Sequence, residues 1–303
     1  MKFRKVFFIY FLSLAVFIFI AFELNLWQAD QQLRSVMSYY IQKNLEKGDF
    51  EAAVVIKDLT KRRLGDFLRR PIYVSLNENQ SFPAASLIKL PLMACCFKAE
   101  REGKININDT YVLKKSDITG GSGVLKAKKA GSEFSLLELI ELMISQSDNT
   151  ASNIFIKKLG FEYLNACFKD LGLKHTVVNR TVMDLNSRKK GIENLTSASD
   201  LSYLYEAIYK KDLVDAEACE TMLKFLSNQK VKNRLPRYLP KDITIAHKTG
   251  TIRGIVHDAG IVFSPKRDYI ICVLTKGSKG YTLPKDFIAE VSEFVYYLLA
   301  YGN

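Results

Sequence analysis

The chain has 303 residues, of which 48% are hydrophobic and 25% charged, the balance of an ordinary globular protein. This composition excludes a disordered, collagenous or multi-span membrane chain, and the length suits one large domain or two small ones. Lysine and arginine number 44 and aspartate and glutamate 32, so the formal net charge of +12 suggests anionic surroundings. The sequence has no cysteine pair of zinc-binding type and no RNA-binding signature, so we do not expect nucleic acid as a partner.

The N-terminus carries a membrane signal. Lys2, Arg4 and Lys5 precede an uncharged run from Val6 to Phe22, which is short for a membrane span and long for the apolar part of a signal peptide. No small-residue cleavage site follows this run. We therefore predict an uncleaved signal anchor over residues 1–29, with a cleaved signal peptide and a buried core helix as the alternatives.

The positive charges before the apolar run predict the orientation of the chain. Such charges stay on the cytoplasmic side of a membrane. We therefore expect a single-pass protein of the cell membrane. Its second unit, residues 30–303, would be a domain on the extracytoplasmic side, in the periplasm or on the outer face.

Beyond the anchor, hydrophobic periodicity predicts an α+β domain. In chain order the pattern predicts a helix at 30–47, strands at 52–56 and 71–76, a helix at 86–100, a glycine-rich loop at 120–123, helices at 135–146, 152–159, 198–210 and 215–226, strands at 243–246, 255–263 and 269–274, and a helix at 284–301. Since strands lie near both ends and helices between them, the sheet should be built from both ends of the chain with a helical lobe inserted.

Cysteine and histidine are too few and too scattered to suggest a metal site. The odd number of cysteines and the absence of C-x-x-C spacing argue against a disulfide framework. Cys95 and Cys96 are adjacent in an apolar stretch and are interpreted as small buried hydrophobic residues. No two of the three histidines have H-x-x-x-H spacing, so we expect no metal and no cofactor.

The first chemical motif is Ser86-Leu87-Ile88-Lys89. Residues three apart on a helix share a face, so the Lys89 amine can sit beside the Ser86 hydroxyl. A serine needs a base to take its proton, and a desolvated lysine with a lowered pKa can be that base. The same S-x-x-K spacing recurs at Ser187 and Ser227, but both lie in polar, lysine-rich stretches. Only Ser86 is followed by an apolar segment that would bury its lysine.

Two further tripeptides follow, Ser147-Asp148-Asn149 and Lys248-Thr249-Gly250. Alone, the first is typical of a helix-capping turn and the second of a turn at a strand end. All three motifs in this order, widely separated in an exported chain, indicate a single site.

At these residues the sequence resembles the penicillin-recognising serine acyl-enzymes, above all the branch of class A β-lactamases, beside the penicillin-binding proteins. The likeness covers roughly residues 50–300. Besides the motifs it includes Phe82–Ala85, Gly120–Gly123, Thr150–Asn153 and His257–Gly260. The resemblance implies a five-stranded antiparallel sheet flanked by helices plus an all-helical lobe, with the site between them.

The resemblance also implies a role for each matching catalytic residue. Ser86 would be the acylated nucleophile, and Lys89 its base or proton relay. Ser147 would pass a proton to the leaving nitrogen. The backbone N–H groups of Ser86 and Thr251 would bind the developing oxyanion, which an acyl transfer needs.

Substrate binding falls to the remaining motif positions. By resemblance, Asn149 would hydrogen-bond the side-chain amide of the substrate. Lys248 and Thr249, with Gly250 beside them and Thr251 following, would bind the substrate carboxylate.

The sequence departs from the class A pattern where a Glu-x-x-Leu-Asn loop should supply the base that activates the deacylating water. Aligning Leu185-Asn186 with that pattern places Val182 at the glutamate position. Asp184 is the candidate substitute, and Glu193 is interpreted as a structural ion pair or cap. The arginine expected on the strand after the third motif has Arg253 as its nearest candidate.

We therefore expect a serine hydrolase that forms an acyl-enzyme on Ser86 with β-lactams and hydrolyses their amide bond. One alternative is a penicillin-binding D,D-peptidase that acts on peptidoglycan and deacylates β-lactams slowly. The other is an inactive wall-binding scaffold. The partner would be a β-lactam or a small substrate of D-Ala-D-Ala type, and we expect a monomer.

Overall fold

The computed structural model describes residues 2–60 and 71–301, with side chains from residue 12 onward. Its helices are α1 (Lys2–Leu45), α2 (Lys89–Arg101), α3 (Leu136–Ser145), α4 (Asn149–Leu159), α5 (Phe161–Asp170), α6 (Leu185–Lys189), α7 (Ala198–Lys210), α8 (Ala216–Ser227) and α9 (Thr282–Tyr301). Its strands are β1 (Glu51–Asp58), β2 (Tyr73–Leu76), β3 (Phe82–Pro83), β4 (Thr110–Val112), β5 (Glu133–Ser135), β6 (Leu195–Thr196), β7 (Ile245–Ile252), β8 (Ile255–Val262) and β9 (Tyr269–Lys276). Short 3₁₀ turns cover Ala85–Ile88, Lys115–Asp117 and Leu125–Ala127.

Five strands form one antiparallel sheet in the order β2-β1-β9-β8-β7. The strands nearest the N-terminus thus pair with the C-terminal strand β9, which confirms the α+β domain with a sheet built from both chain ends. Successive side chains on a strand point to opposite faces. Val55 on β1 therefore joins the core shared with α2, α3, α7 and α8, whereas Val54 joins the core shared with α1 and α9.

The first helix is continuous, whereas the sequence pattern predicts an anchor followed by a separate helix from residue 30. No glycine or proline interrupts residues 2–45, so the helix has no reason to break. Its C-terminal half belongs to the domain: Met37 and Ile41 are buried, and Tyr40 stacks on Phe294 of α9 with ring centroids 3.7 Å apart.

Residues 12–22 of α1 are largely exposed. From Leu12 onward, this helix is the one in the described part of the chain that is long and apolar enough to cross a membrane. The charged side chains of Lys2, Arg4 and Lys5, on which the predicted orientation depends, lie outside the described side chains.

A disulfide joins Cys95 on α2 to Cys167 on α5, with the two Cα atoms 6.1 Å apart. The interpretation of Cys95 as an unpaired buried residue is therefore wrong. The two cysteines are 72 residues apart, and only the packing of α2 against α5 brings them together. Cys96, Cys219 and Cys272 are free and buried.

Three further differences concern the site. Strand β7 runs through the third motif instead of ending before it, helix α4 begins at Asn149 within the second motif, and α5 and α6 have no counterpart in the predicted elements. Asp148 explains the early start of α4, because its carboxylate caps that helix by accepting a hydrogen bond from the Ala151 N–H at 3.0 Å.

Candidate active site

Ser86 lies in the 3₁₀ turn Ala85–Ile88 that leads into α2, and Lys89 is the first residue of α2. Ala85 has a φ of +47°, in the left-handed region that non-glycine residues rarely adopt. The preceding Pro83 carbonyl lies 2.9 Å from Nε2 of the buried His257. Residues 83–88, called here the Ser86 turn, present Ser86 at the wall of a cavity.

His257 fastens the Ser86 turn to the sheet as a neutral ring. Its Nδ1 accepts a hydrogen bond from the Thr275 N–H at 3.0 Å, so Nε2 carries the proton and donates it to Pro83. Burial lowers the pKa of His257 to about 4, against smaller opposing effects of its backbone hydrogen bonds. The ring is therefore uncharged above that pH, and its hydrogen bonds hold the Ser86 turn against the sheet.

Strand β7 packs directly against the Ser86 turn because residue 250 is glycine. A Cβ at this position would lie 3.2 Å from the Cβ of Ala85 and 3.3 Å from the carbonyl oxygen of Ala84. Any side chain at Gly250 would push the strand and the turn apart. The third motif thus allows the first motif and β7 to meet.

The second motif is held by Asp148, which is fully buried. Besides capping α4, its carboxylate accepts a hydrogen bond from the Leu125 N–H at 2.8 Å. Gly123 lies so close that a Cβ there would be 2.2 Å from this carboxylate, and its φ of +111° suits glycine alone. The glycine-rich loop therefore closes over Asp148, while the flanking Ser147 and Asn149 approach Lys89.

The Ser147 hydroxyl lies between two buried lysine amines. Lys89 Nζ is 3.3 Å from Ser147 Oγ and also donates to the Ser147 carbonyl at 2.6 Å. Lys248 Nζ donates to the same Oγ at 3.0 Å. Both lysines have 0% of their surface exposed. The three motifs thus meet in one amine–hydroxyl–amine chain, next to the Ser86 turn.

Burial makes both lysines weaker bases than free lysine. It lowers the pKa of Lys89 well below the usual range, and the positive charge of Lys248 lowers it further, whereas Asp148 opposes the shift. Burial also lowers the pKa of Lys248 to about 7, with Asp258 opposing and Arg234 adding to the effect. A neutral Lys89 amine can accept a proton at neutral pH.

Asn149 fixes the opposite side of Lys89. Its Oδ1 accepts a hydrogen bond from Lys89 Nζ at 2.8 Å, and its Nδ2 donates to the Gly120 carbonyl at 2.9 Å. These two bonds orient the amide, so its nitrogen points toward the glycine-rich loop and its oxygen toward the lysine.

A cavity of about 740 Å³ opens beside these groups. Its walls come from the Ser86 turn, the glycine-rich loop, the segment 180–194 and the end of β7. The lining residues are Ala85, Ser86, Gly121, Ser122, Asn149, Arg180, Val182, Met183, Leu185, Arg188, Lys189, Asn194, Thr251, Ile252 and Arg253. No aspartate or glutamate is among them. Of the sequence-predicted site residues, Ser86, Asn149 and Thr251 line the cavity, while Lys89, Ser147, Lys248 and Thr249 are buried behind it.

Asp184, the candidate deacylating base, caps helix α6. One carboxylate oxygen accepts a hydrogen bond from the Ser187 N–H at 3.0 Å, and the other accepts one from the Ser187 hydroxyl at 2.6 Å. The bond from the Ser187 hydroxyl is the main cause that lowers the pKa of Asp184. Its carboxylate is thus engaged in capping and is absent from the cavity wall, where Val182, Met183 and Leu185 stand.

Glu193 is an ion-pair residue, as the sequence suggests. It accepts a hydrogen bond from Arg180 Nε at 3.0 Å and one from Arg188 Nε at 3.0 Å. Its carboxylate therefore holds the two ends of the segment 180–194 together.

Arg234 is a buried residue of the site that the sequence did not reveal. Its Nη1 donates to the carbonyls of His257 at 2.6 Å and Gly250 at 3.1 Å, and its Nη2 donates to the Thr251 hydroxyl. It thereby ties β7 to β8 at the third motif. Arg253, the nearest sequence candidate for the arginine expected on the strand after the third motif, is exposed in the β7–β8 turn.

The back of β7 carries a second buried pair. His247 Nδ1 is 2.8 Å from a carboxylate oxygen of Asp258, whose other oxygen accepts a hydrogen bond from the Leu235 N–H at 3.1 Å. Asp258 is thus a buried carboxylate whose charge acts on both Lys248 and Arg234.

The arrangement of these motifs agrees with a comparison against known families. A sequence model described as the beta-lactamase enzyme family matches residues 32–299. The chain belongs to the β-lactamase enzyme family. The match begins within α1 and covers every strand of the sheet.

Curated relatives within this family are bacterial β-lactamases. Beta-lactamase BRO-1 of Moraxella catarrhalis is 30% identical over 178 residues, covering 57% of this chain and 56% of the relative. Beta-lactamase CARB-3 of Pseudomonas aeruginosa is 29% identical over 181 residues, covering 59% and 62%. The chain therefore spans somewhat more than half the length of these curated relatives.

Solved structures of the family match over nearly their whole length. PBP-A is 30% identical, with a TM-score of 0.74 and coverage of 89% of this chain and 94% of that one. The β-lactamase of Sphaerobacter thermophilus is 25% identical, with a TM-score of 0.76 and coverage of 88% and 97%. A leucine-to-glutamate variant of PBP-A has been solved as an acyl-enzyme complex with penicillin G.

Proposed function

We propose that this chain is a serine hydrolase that opens the amide bond of β-lactams through an acyl-enzyme on Ser86. The observation that carries the proposal is the buried chain of Lys89, Ser147 and Lys248 beside the cavity that Ser86 lines. Such a site offers a nucleophile, a neutral amine and a proton path, which together are the requirements of acyl transfer.

In the proposed acylation, the neutral Lys89 amine takes the proton of the Ser86 hydroxyl. The Ser86 oxygen then bonds to the lactam carbonyl carbon, and the N–H groups of Ser86 and Thr251 stabilise the oxyanion. The carbon–nitrogen bond breaks as Ser147 gives its proton to the leaving nitrogen. Lys89 returns the proton to Ser147 through the 3.3 Å contact, which restores both groups.

Substrate binding in this proposal uses the rest of the site. Lys248 and Thr249, with Gly250 and Thr251 beside them, bind the carboxylate next to the scissile amide. Lys248 is protonated below its pKa of about 7 and then carries the positive charge that a carboxylate needs. Asn149 offers its Nδ2 to the side-chain amide of the substrate.

A second candidate function is supported by the lining of the cavity. Hydrolysis of the acyl-enzyme requires an activated water, and no carboxylate stands among the described residues that line the cavity. Such a site acylates readily and releases the acyl group slowly. A D,D-peptidase acting on D-Ala-D-Ala-type peptides of peptidoglycan and inhibited by β-lactams fits this feature, and the similarity to PBP-A agrees with it.

The full chain in detergent micelles distinguishes these functions. A fluorescent penicillin should label the wild-type protein, and the label should be absent from Ser86→Ala. Rapid loss of label together with hydrolysis of a chromogenic cephalosporin supports a β-lactamase. Lasting label together with release of D-alanine from an acyl-D-Ala-D-Ala peptide supports the peptidase. A protein that takes no label would overturn both.

The proposal includes location. The apolar N-terminal part of α1 would act as an uncleaved signal anchor, with residues 30–303 as an extracytoplasmic domain and the protein as a monomer. Helix α1 continues from the apolar part into the domain core, so the two parts would be rigidly connected. N-terminal sequencing of the protein from membranes tests the anchor, since a start near residues 24–30 would contradict it.

A further inference from the structure

The mouth of the cavity is positively charged beyond what its ion pairs neutralise. Four basic residues line it, namely Arg180, Arg188, Lys189 and Arg253. Glu193 is the carboxylate that pairs with Arg180 and Arg188, and Asp184 is engaged with Ser187. Asp184 keeps its negative charge when it accepts hydrogen bonds from Ser187, so two carboxylates offset four cations here and two positive charges remain.

Two of these cations are available to a ligand. Lys189 and Arg253 are exposed and, within residues 12–60 and 71–301, make no side-chain hydrogen bond or ion pair. They come from opposite walls of the cavity, Lys189 from the end of α6 and Arg253 from the β7–β8 turn. Arg188 joins these walls, because its Nη2 donates to the Arg253 carbonyl at 3.2 Å. Arg188, Lys189 and Arg253 thus form a positively charged rim across the mouth.

This rim is separate from the carboxylate site of the proposed function. Lys248 is fully buried behind the cavity and contacts Ser147, whereas Arg253 lies two residues beyond Thr251 at the exposed end of the hairpin. The same cavity also has apolar lining residues, namely Val182, Met183, Leu185 and Ile252. A ligand in this cavity can therefore contact apolar side chains as well as cations.

We propose that Arg188, Lys189 and Arg253 form an anion subsite for a second carboxylate, carried on the acyl side chain of the substrate. This inference rests on the proposed function and specifies its substrate class: an acyl donor whose side chain combines an apolar part with an acidic group. Residues 30–303 contain 41 lysines and arginines and 31 aspartates and glutamates, and this formal charge of +10 favours the approach of dianionic substrates.

Two penicillins that differ by one carboxylate test the subsite. We compare the second-order rate constants for acylation of the full chain in detergent by benzylpenicillin and by its α-carboxy derivative. The α-carboxy compound should react about fivefold faster, the size that two or three exposed ion pairs supply. This ratio should fall as salt is added, because exposed charges are screened.

Variants locate the effect. In Lys189→Gln/Arg253→Gln the ratio should fall to about one or below, whereas the matched control Lys190→Gln/Lys266→Gln, which removes two exposed charges outside the cavity lining, should keep the wild-type ratio. Equal rates for both penicillins in the wild type, or a ratio that both double variants lower alike, would overturn the subsite while leaving acylation intact. No acylation by either penicillin would overturn the proposed function itself.

Discussion

Asn153 holds both backbone polar groups of Val182. Its Oδ1 accepts a hydrogen bond from the Val182 N–H at 2.7 Å, and its Nδ2 donates to the Val182 carbonyl at 3.0 Å. The backbone at Val182 is therefore fixed to helix α4, and the side chain lines the cavity. A side chain placed at this position should reach the space in front of Ser86.

The first prediction follows from the two hydrogen bonds that fix the backbone at Val182. In Val182→Glu the new carboxylate should activate a water for deacylation, which we expect to accelerate by about 10²-fold or more, the usual contribution of a positioned base. The lifetime of the penicillin acyl-enzyme, followed by intact-mass spectrometry, measures it. Val182→Gln is the control, since it has the same shape without the base. Equal lifetimes in both variants would argue against this position.

Wild-type turnover should be limited by deacylation. A chromogenic cephalosporin should give a burst of about one equivalent and then a slow steady state. Lys89 serves as the base for acylation, whereas no carboxylate among the described residues lines the cavity to activate the water for deacylation. Asp184→Asn should leave the steady rate unchanged, since the Asp184 carboxylate is engaged in capping α6. If turnover is fast without a burst and Asp184→Asn removes it, Asp184 is the deacylating base.

The nucleophile can be assigned by mass. Ser86→Ala should lose the one drug mass that penicillin adds, while Ser187→Ala and Ser227→Ala should keep it. The hydroxyls of Ser187 and Ser227 are engaged with Asp184 and with the Leu223 carbonyl, respectively. A Ser86→Ala protein that still gains one drug mass would show that the nucleophile is another residue.

The rate constant for acylation at low substrate concentration should decrease on the alkaline side of about pH 7. The pKa of Lys248 is lowered by burial to about 7, so the free enzyme loses this positive charge as pH rises through that value, and carboxylate binding should weaken. The acylation rate constant at low substrate concentration should therefore fall above pH 7. In Lys248→Arg this decrease should move to higher pH, because arginine stays charged. An unchanged decrease in that variant would assign the titration to another group.

The Cys95–Cys167 disulfide should stabilise the helical lobe. It closes a loop with a sequence separation of 72, for which loop-closure entropy gives about 4 kcal/mol of stability. Cys95→Ala/Cys167→Ala should lower the thermal midpoint by several degrees, and reductant should then have no further effect. Cys96→Ala serves as the control, since Cys96 is free and its variant should remain sensitive to reductant. A wild-type midpoint that reductant does not change would contradict the prediction.

Local signals in the sequence were sufficient for much of the fold. Alternating and helical hydrophobic patterns gave the strands around 52–56 and 255–263 and the helix at 198–210 within a few residues, because burial on one face imposes a period. The helix predicted at 135–146 begins where Ser135 and Glu138 form a capping box at the start of α3. Residues 2–45 show the limit: two apolar patterns indicated two helices, but without a breaking residue the backbone continues as one.

The sequence alone established which functional residues the site contains: a serine, two lysines and the polar tripeptides, in an order that identifies the family. Only the tertiary structure decided how they act. Lys89 and Lys248 lie 58 and 101 positions from Ser147, yet both amines contact its hydroxyl. The apolar segment after Ser86 predicted the burial that lowers the pKa of Lys89, whereas the burial that lowers the pKa of Lys248 depends on how β7 packs. Arg234 and the Cys95–Cys167 pair have no sequence signature for the same reason, since contacts between distant segments depend on how sheet and helices pack. Asp184 shows the reverse case, in which position along the chain suggested a base but packing made the carboxylate a helix cap.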